Sequence, residues 1–140
     1  MTKRILEDVK VNVKIKLAGL WAAVMLLYLY GDVFAFFKPG VIEELIAGEL
    51  AIGIPLTQVV LLGMAILMAI PGVMVFLSLI LKAKANRWAN IILGIVYTVV
   101  MLVSMFMPGT WVYYIFLGIV EIVLTVLIVR YAWKWPKQEG

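Results

Sequence analysis

Five polar side chains stand inside runs that are otherwise apolar: Tyr28, Asp32, Gln58, Tyr97 and Glu121. Two carboxylic acids, two phenols and an amide set among apolar neighbours can hold a cation or relay a proton. Ionisable groups inside a membrane span mark such routes by default. These five are therefore the ligand or proton candidates. No pattern in the chain specifies a catalytic residue, a metal-ligand set or a cofactor.

Glu121 is the most pointed of them. It lies near the middle of "YYIFLGIVEIVLTVLIVRY", residues 113–131. A charged group at the centre of a span costs roughly 2.5–3.5 kcal/mol on insertion scales, and each Leu, Ile, Val or Phe returns about 0.3–0.6. The apolar residues of this segment outweigh that cost, so insertion permits the glutamate without requiring a role for it. Residues three and four apart share a helix face, so Tyr114, Gly118, Glu121 and Thr125 form a small-and-polar stripe. Small residues allow close helix approach and polar ones bond across the interface. The stripe is expected to face the bundle interior.

Counting from the outer boundary at 1.5 Å per residue places Glu121 roughly 15 Å deep. Tyr28, Tyr97 and Thr98 fall at a similar depth. Asp32 is shallower, level with Gln58 and Ser104. One polar column is expected, with Asp32 and Gln58 above and the rest below. No lysine or arginine lies near the middle of a span, so Glu121 is expected to be neutral and Asp32, nearer water, ionised. Packing alone suits Tyr28, Tyr97 and Gln58 equally well. Met64, Met68, Met74, Met101 and Met105 read as packing residues.

Positioning these groups requires membrane helices. The chain has 140 residues, 66% hydrophobic and 14% charged, with a mean hydropathy of +1.12. A soluble domain is roughly 45–50% apolar. The absence of cysteine and histidine removes disulfides, thiolate nucleophiles and the usual zinc sites. Four segments reach the roughly 20 apolar residues that span a bilayer: about 17–37, 53–81, 88–107 and 111–132. Pro71-Gly72 is expected to kink the second. The opening "MTKRILEDVKVNVKIK" lacks the apolar core of a signal peptide, so the first span is expected to remain.

Positive charge gathers at alternate ends of these spans. Lys3, Arg4, Lys10, Lys14 and Lys16 precede the first; Lys82, Lys84 and Arg87 join the second to the third; Arg130, Lys134 and Lys137 lie at the C-terminal end. The positive-inside rule then places both termini in the cytoplasm of a multi-pass cell-membrane protein. The net charge of +4 belongs to this membrane face, whose partner is anionic lipid headgroups rather than nucleic acid. "VKVNVKIKL" has a strand-like period, but an isolated strand is unstable, so 1–16 reads as a basic lead-in on the headgroups. Residues 41–50, "VIEELIAGEL", read as a short amphipathic helix on the outer surface, either a lid or a plain loop. Ala65, Ala69 and Gly72 are expected to form a helix-contact face. Asn86 is expected to cap the third helix, with Arg87 and Lys84 among lipid phosphates. The fold class is all-α: one membrane domain over 1–140, a four-helix transmembrane bundle with a short outer interfacial helix and a cytoplasmic tail at 133–140.

The stretches "VKVNVKIKLAGLWAAVMLLYLYGD", "KANRWANIILGIVYT" and "YYIFLGIVEIVLTVLIVRYAWKWPK" resemble a family of small bacterial and archaeal four-span proteins known only as a domain of unknown function. "NRWANI" and "YAWKWP" are the most specific parts. The resemblance covers nearly the whole chain and implies a four-helix membrane protein with short loops. It implies no activity. Some members carry an acid where this chain has Ala69, so a mechanism that needs that carboxyl does not transfer.

Three functions fit. The first is binding or transport of a small molecule or cation along the polar column, aided by homo-oligomerisation because four helices enclose little space. The second is a structural or accessory subunit in which the column is packing glue. The third is an enzyme acting on a lipid or quinone through an acid–tyrosine pair; it lacks a nucleophile motif, a metal cluster and a phosphate loop.

Overall fold

The computed structural model describes residues 4–50 and 53–137. Lys3 of the basic lead-in and the end of the tail at 138–140 lie outside them. Four helices are long and apolar enough to cross a membrane: α1 (Val13–Ala35), α3 (Gln58–Ile80), α4 (Ala83–Met105) and α5 (Val112–Trp133). A six-residue helix, α2 (Val41–Ile46), and a two-stranded antiparallel ladder, β1 (Glu49–Leu50) with β2 (Ile54–Pro55), join α1 to α3. The protein is an all-α polytopic membrane bundle.

Capping sets where the helices begin. α1 starts four residues before the expected span because the Asn12 side chain accepts from the Lys14 backbone N–H at 2.8 Å. That bond satisfies a donor the first helical turn leaves free. Residues 13–16 are thus helical, and the irregular lead-in ends at Asn12. α3 starts five residues later than expected. Residues 54–55 are engaged in the ladder, and Thr57 caps the helix by accepting from the Val60 N–H at 3.2 Å. α4 starts at Ala83, so Asn86 is not its cap but lies inside the helix, fully buried. The expected outer helix over 41–50 stops at Ile46. Gly48 has φ +83°, in the left-handed region that favours glycine, and turns the chain into β1. Val41, Leu45 and Leu50 are half-buried, while Ile42 and Ile46 stay exposed.

α1 packs on both α3 and α5, and α5 packs closely on α4, whereas α3 meets α4 along a short seam only. α4 and α5 approach each other closely at two glycines. A Cβ on Gly94 would lie 2.7 Å from Val129 Cγ2 and 3.4 Å from the Thr125 carbonyl oxygen. Gly118 faces Met105 in the same crossing. α3 remains one helix across Pro71. Its buried residues are Pro71, Met74 and Ser78, while Ala65, Ala69 and Gly72 are exposed, so the expected small-residue face is not the face used within the chain. The core gathers around Leu17, Trp21, Val24 and Ile128, all fully buried. Large apolar side chains such as Leu62, Phe76, Val103 and Phe116 point outward, as a lipid-facing surface requires.

Candidate functional site

A cavity of about 100 Å³ lies where the four long helices converge. α1 contributes Tyr28, Gly31 and Asp32; α4 contributes Tyr97, Met101 and Ser104; α5 contributes Tyr114, Leu117 and Glu121. α3 supplies an apolar wall through Leu67 and Met68. The Tyr114–Gly118–Glu121–Thr125 stripe turns inward as its spacing requires, with Gly118, Glu121 and Thr125 buried.

Glu121 is only 2% exposed, and its Oε2 has no hydrogen-bond partner. Tyr28 is 7% exposed, and its hydroxyl is likewise unpartnered. Leaving a buried polar group unsatisfied costs about 1–3 kcal/mol, and more for a charged one. These two are the exceptions among the described residues. The other buried polar side chains are all bonded. Thr98 donates to Thr125 Oγ1 at 2.7 Å, which ties α4 to α5. Trp21 Nε1 donates to Asn90 Oδ1 at 2.7 Å, Asn90 Nδ2 donates to Asn86 Oδ1 at 2.7 Å, and Asn86 Nδ2 donates to the Ser78 carbonyl at 2.7 Å. That chain of bonds joins α1, α4 and α3.

Tyr97 has a structural duty as well as a place in the cavity wall. Its hydroxyl donates to the Leu67 carbonyl. In a helix that carbonyl would accept from residue 71, but residue 71 is proline and has no N–H. The phenol replaces the missing donor. The Tyr97 ring also meets Trp21 edge-on, with centroids 5.9 Å apart and planes at 86°.

The cavity is asymmetric along the bundle axis. Ser104 and Tyr114 line both the cavity and a neighbouring groove of about 290 Å³ beside the 107–110 turn. Gly109 makes that turn with φ +77°. Lys38 flanks the groove, with its ammonium 5.2 Å from the Trp111 ring centre. Asp32, an exposed residue, stands on this side of Glu121. Toward the chain termini the way is closed by Trp21, Asn90, Asn86, Ser78, Leu17 and Ile128, each fully buried.

Four of the five candidates therefore meet in one cavity: Glu121, Asp32, Tyr28 and Tyr97. Gln58 does not; it is exposed at the first turn of α3. Thr98 points to Thr125 and the Gly94 carbonyl instead. Sequence reasoning missed the Trp21–Asn90–Asn86–Ser78 network. The available signal was a pair of asparagines four apart on one face of an apolar helix. Arg87 also has partners within the chain that its sequence context did not suggest. Its guanidinium donates to the Ala132 carbonyl at 3.1 Å and the Trp133 carbonyl at 3.2 Å. It thus satisfies carbonyls at the C-terminus of α5, where a cation also suits the helix dipole.

The fold and site define a small membrane bundle with a polar, acid-bearing cavity. Residues 4–140 match a family of unknown function, DUF6326, and the chain belongs to that family. No curated protein and no solved structure matches it. Among the described residues no three His, Cys, Asp or Glu side chains are grouped to hold a metal ion.

Proposed function

We propose that the bundle binds a small molecule or cation in the Glu121 cavity, as the binding step of transport across the membrane. The observation that carries this reading is the Glu121 carboxylate oxygen, buried, unpartnered and lining a cavity. A glutamate serving as packing glue would bond to a second helix. Here that work falls to Thr98–Thr125, Tyr97–Leu67 and the asparagine network. An acid with no such duty at the bottom of an accessible recess suits a ligand.

The basic residues Lys10, Lys14, Lys16, Lys84, Arg130 and Lys134 mark the end of the bundle that carries the termini. The positive-inside rule assigns that end to the cytoplasm. The cavity then opens outward through the groove at Ser104 and Tyr114, and the Trp21–Asn90 network forms its inner floor.

The chain contains no cysteine, so a single one can report access. Ser104→Cys in sealed vesicles is expected to react with a membrane-impermeant thiosulfonate applied at the side opposite the termini. Ser78→Cys, in the inner floor, is expected to stay unreactive from that side. An inert Ser104→Cys in a correctly folded variant would make the cavity a sealed packing defect and remove the binding reading.

A further inference from the structure

We infer that the cavity takes a small primary alkylammonium ion. The inference rests on the binding reading above and adds the ligand class. Two oxygens in the cavity lack partners, Glu121 Oε2 and the Tyr28 hydroxyl. Both can accept a hydrogen bond, and an R–NH₃⁺ group brings three donors and one positive charge. Asp32 and Glu121 can each supply negative charge to a bound cation, at two levels, and among the described residues no lysine or arginine lines the cavity. A ligand bearing a carboxylate or phosphate would therefore find no counter-charge.

The rest of the wall selects against a bare hard divalent cation. Hard divalent cations take six to eight oxygen ligands, whereas Leu67, Met68, Met101 and Leu117 present carbon and thioether surface here. That surface suits an alkyl group. Three tyrosine rings, at 28, 97 and 114, add aromatic surface of the kind that attracts ammonium ions. Size sets an upper bound. An apolar cavity of about 150 Å³ holds benzene, so about 100 Å³ suits a cation of fewer heavy atoms, such as ethylammonium. The ammonium would lie between Glu121 and Tyr28, with its alkyl group toward α3. Asp32, on the side of the outer groove, would meet the cation first.

The test is thermal unfolding of the full chain in lipid nanodiscs, titrated with ethylammonium chloride. Sodium chloride, tetramethylammonium chloride and ethanol at matched concentrations are the comparisons. A ligand that binds only the folded state raises the melting temperature with concentration. Ethylammonium is expected to do so beyond all three comparisons. Glu121→Gln is expected to weaken it roughly thirty-fold or more, as loss of one partner of a desolvated charge pair does. Glu121→Asp, which keeps the charge, should retain part of the affinity, and Tyr28→Phe should lower it roughly ten-fold through the lost acceptor. Equal stabilisation by sodium, tetramethylammonium or ethanol would overturn the ligand class while leaving a binding cavity. So would an ethylammonium response that survives Glu121→Gln. No response to any probe overturns the inference, and Ser104→Cys labelling then decides whether the binding reading falls with it.

Discussion

The Tyr97 hydroxyl donates to the carbonyl of Leu67, the one carbonyl in α3 that Pro71 deprives of its helical donor. One side chain on α4 thereby repairs a defect in α3 and holds the thin seam between these helices. It also fixes the position of a ring that lines the cavity.

This pairing predicts a specific coupling. Tyr97→Phe should cost about 1 kcal/mol, the usual scale of an interhelical bond in a membrane protein. Pro71→Ala restores an N–H to the Leu67 carbonyl. In that background Tyr97→Phe should cost much less. A double-mutant cycle by reversible unfolding in detergent micelles measures the difference; additive losses would show that the two residues act independently.

The α4–α5 crossing predicts unequal responses at its two glycines. Gly94→Ala places a methyl group 2.7 Å from Cγ2 of Val129, a β-branched side chain with little rotamer freedom, and should destabilise the bundle by about 1–3 kcal/mol. Gly118→Ala meets the flexible thioethers of Met105 and Met101 instead. Those thioethers can swing aside, so less strain is left to set against alanine's helical advantage over glycine, about 1 kcal/mol at either site. The same unfolding assay should rank Gly94→Ala as clearly the less stable variant.

The inner floor predicts a network effect. Asn90→Leu removes the acceptor of Trp21 and Ser78 and the donor to Asn86. Stranding buried partners costs about 1–3 kcal/mol. Replacing Asn86 and Asn90 together should cost less than the sum of the two single changes, because each single change strands the other asparagine. Melting temperatures of the four proteins test this directly.

The orphaned acid predicts a trade between stability and function. Glu121→Met removes a buried unsatisfied group and fills its space with a residue of similar length. The variant should be more stable than the parent by about 1–3 kcal/mol and should lose ligand response. A glutamate that held helices together would give the opposite result, a loss of stability on substitution.

Much of this architecture was legible in the residues. The four spans follow from length and hydropathy, and the inward face of α5 follows from the three-and-four spacing of Gly118, Glu121 and Thr125. Asp32, Tyr28, Tyr97 and Glu121 line one cavity, and counting about 1.5 Å per residue along each helix brings them near one another along the bundle axis. Gln58 fails that count for a local reason. Residues 54–55 enter a strand pair and Thr57 caps the helix, so α3 begins late and Gln58 is left exposed in its first turn. The face of α3 was misjudged because small residues suggested the Ala65–Ala69–Gly72 row. The helix instead buries Pro71, Met74 and Ser78, to which the Tyr97 and asparagine bonds draw it. Asn86 reads locally as a cap. Its partners Ser78 and Asn90, and through them Trp21, come from three helices, and the Asn86–Asn90 spacing within α4 marks a polar face without naming what it meets.

The central claim is that Glu121 is a buried acid open to water and ligand. The most direct measurement is the infrared difference spectrum of the protein in bilayers as pH steps across roughly 5 to 10, with Glu121→Gln as the assignment control. The account predicts a carboxyl or carboxylate signal that changes across this range, responds to added ethylammonium and is absent from the Gln variant. A Glu121 carboxyl band that stays protonated throughout, with or without the cation, would contradict the account and leave a sealed packing glutamate.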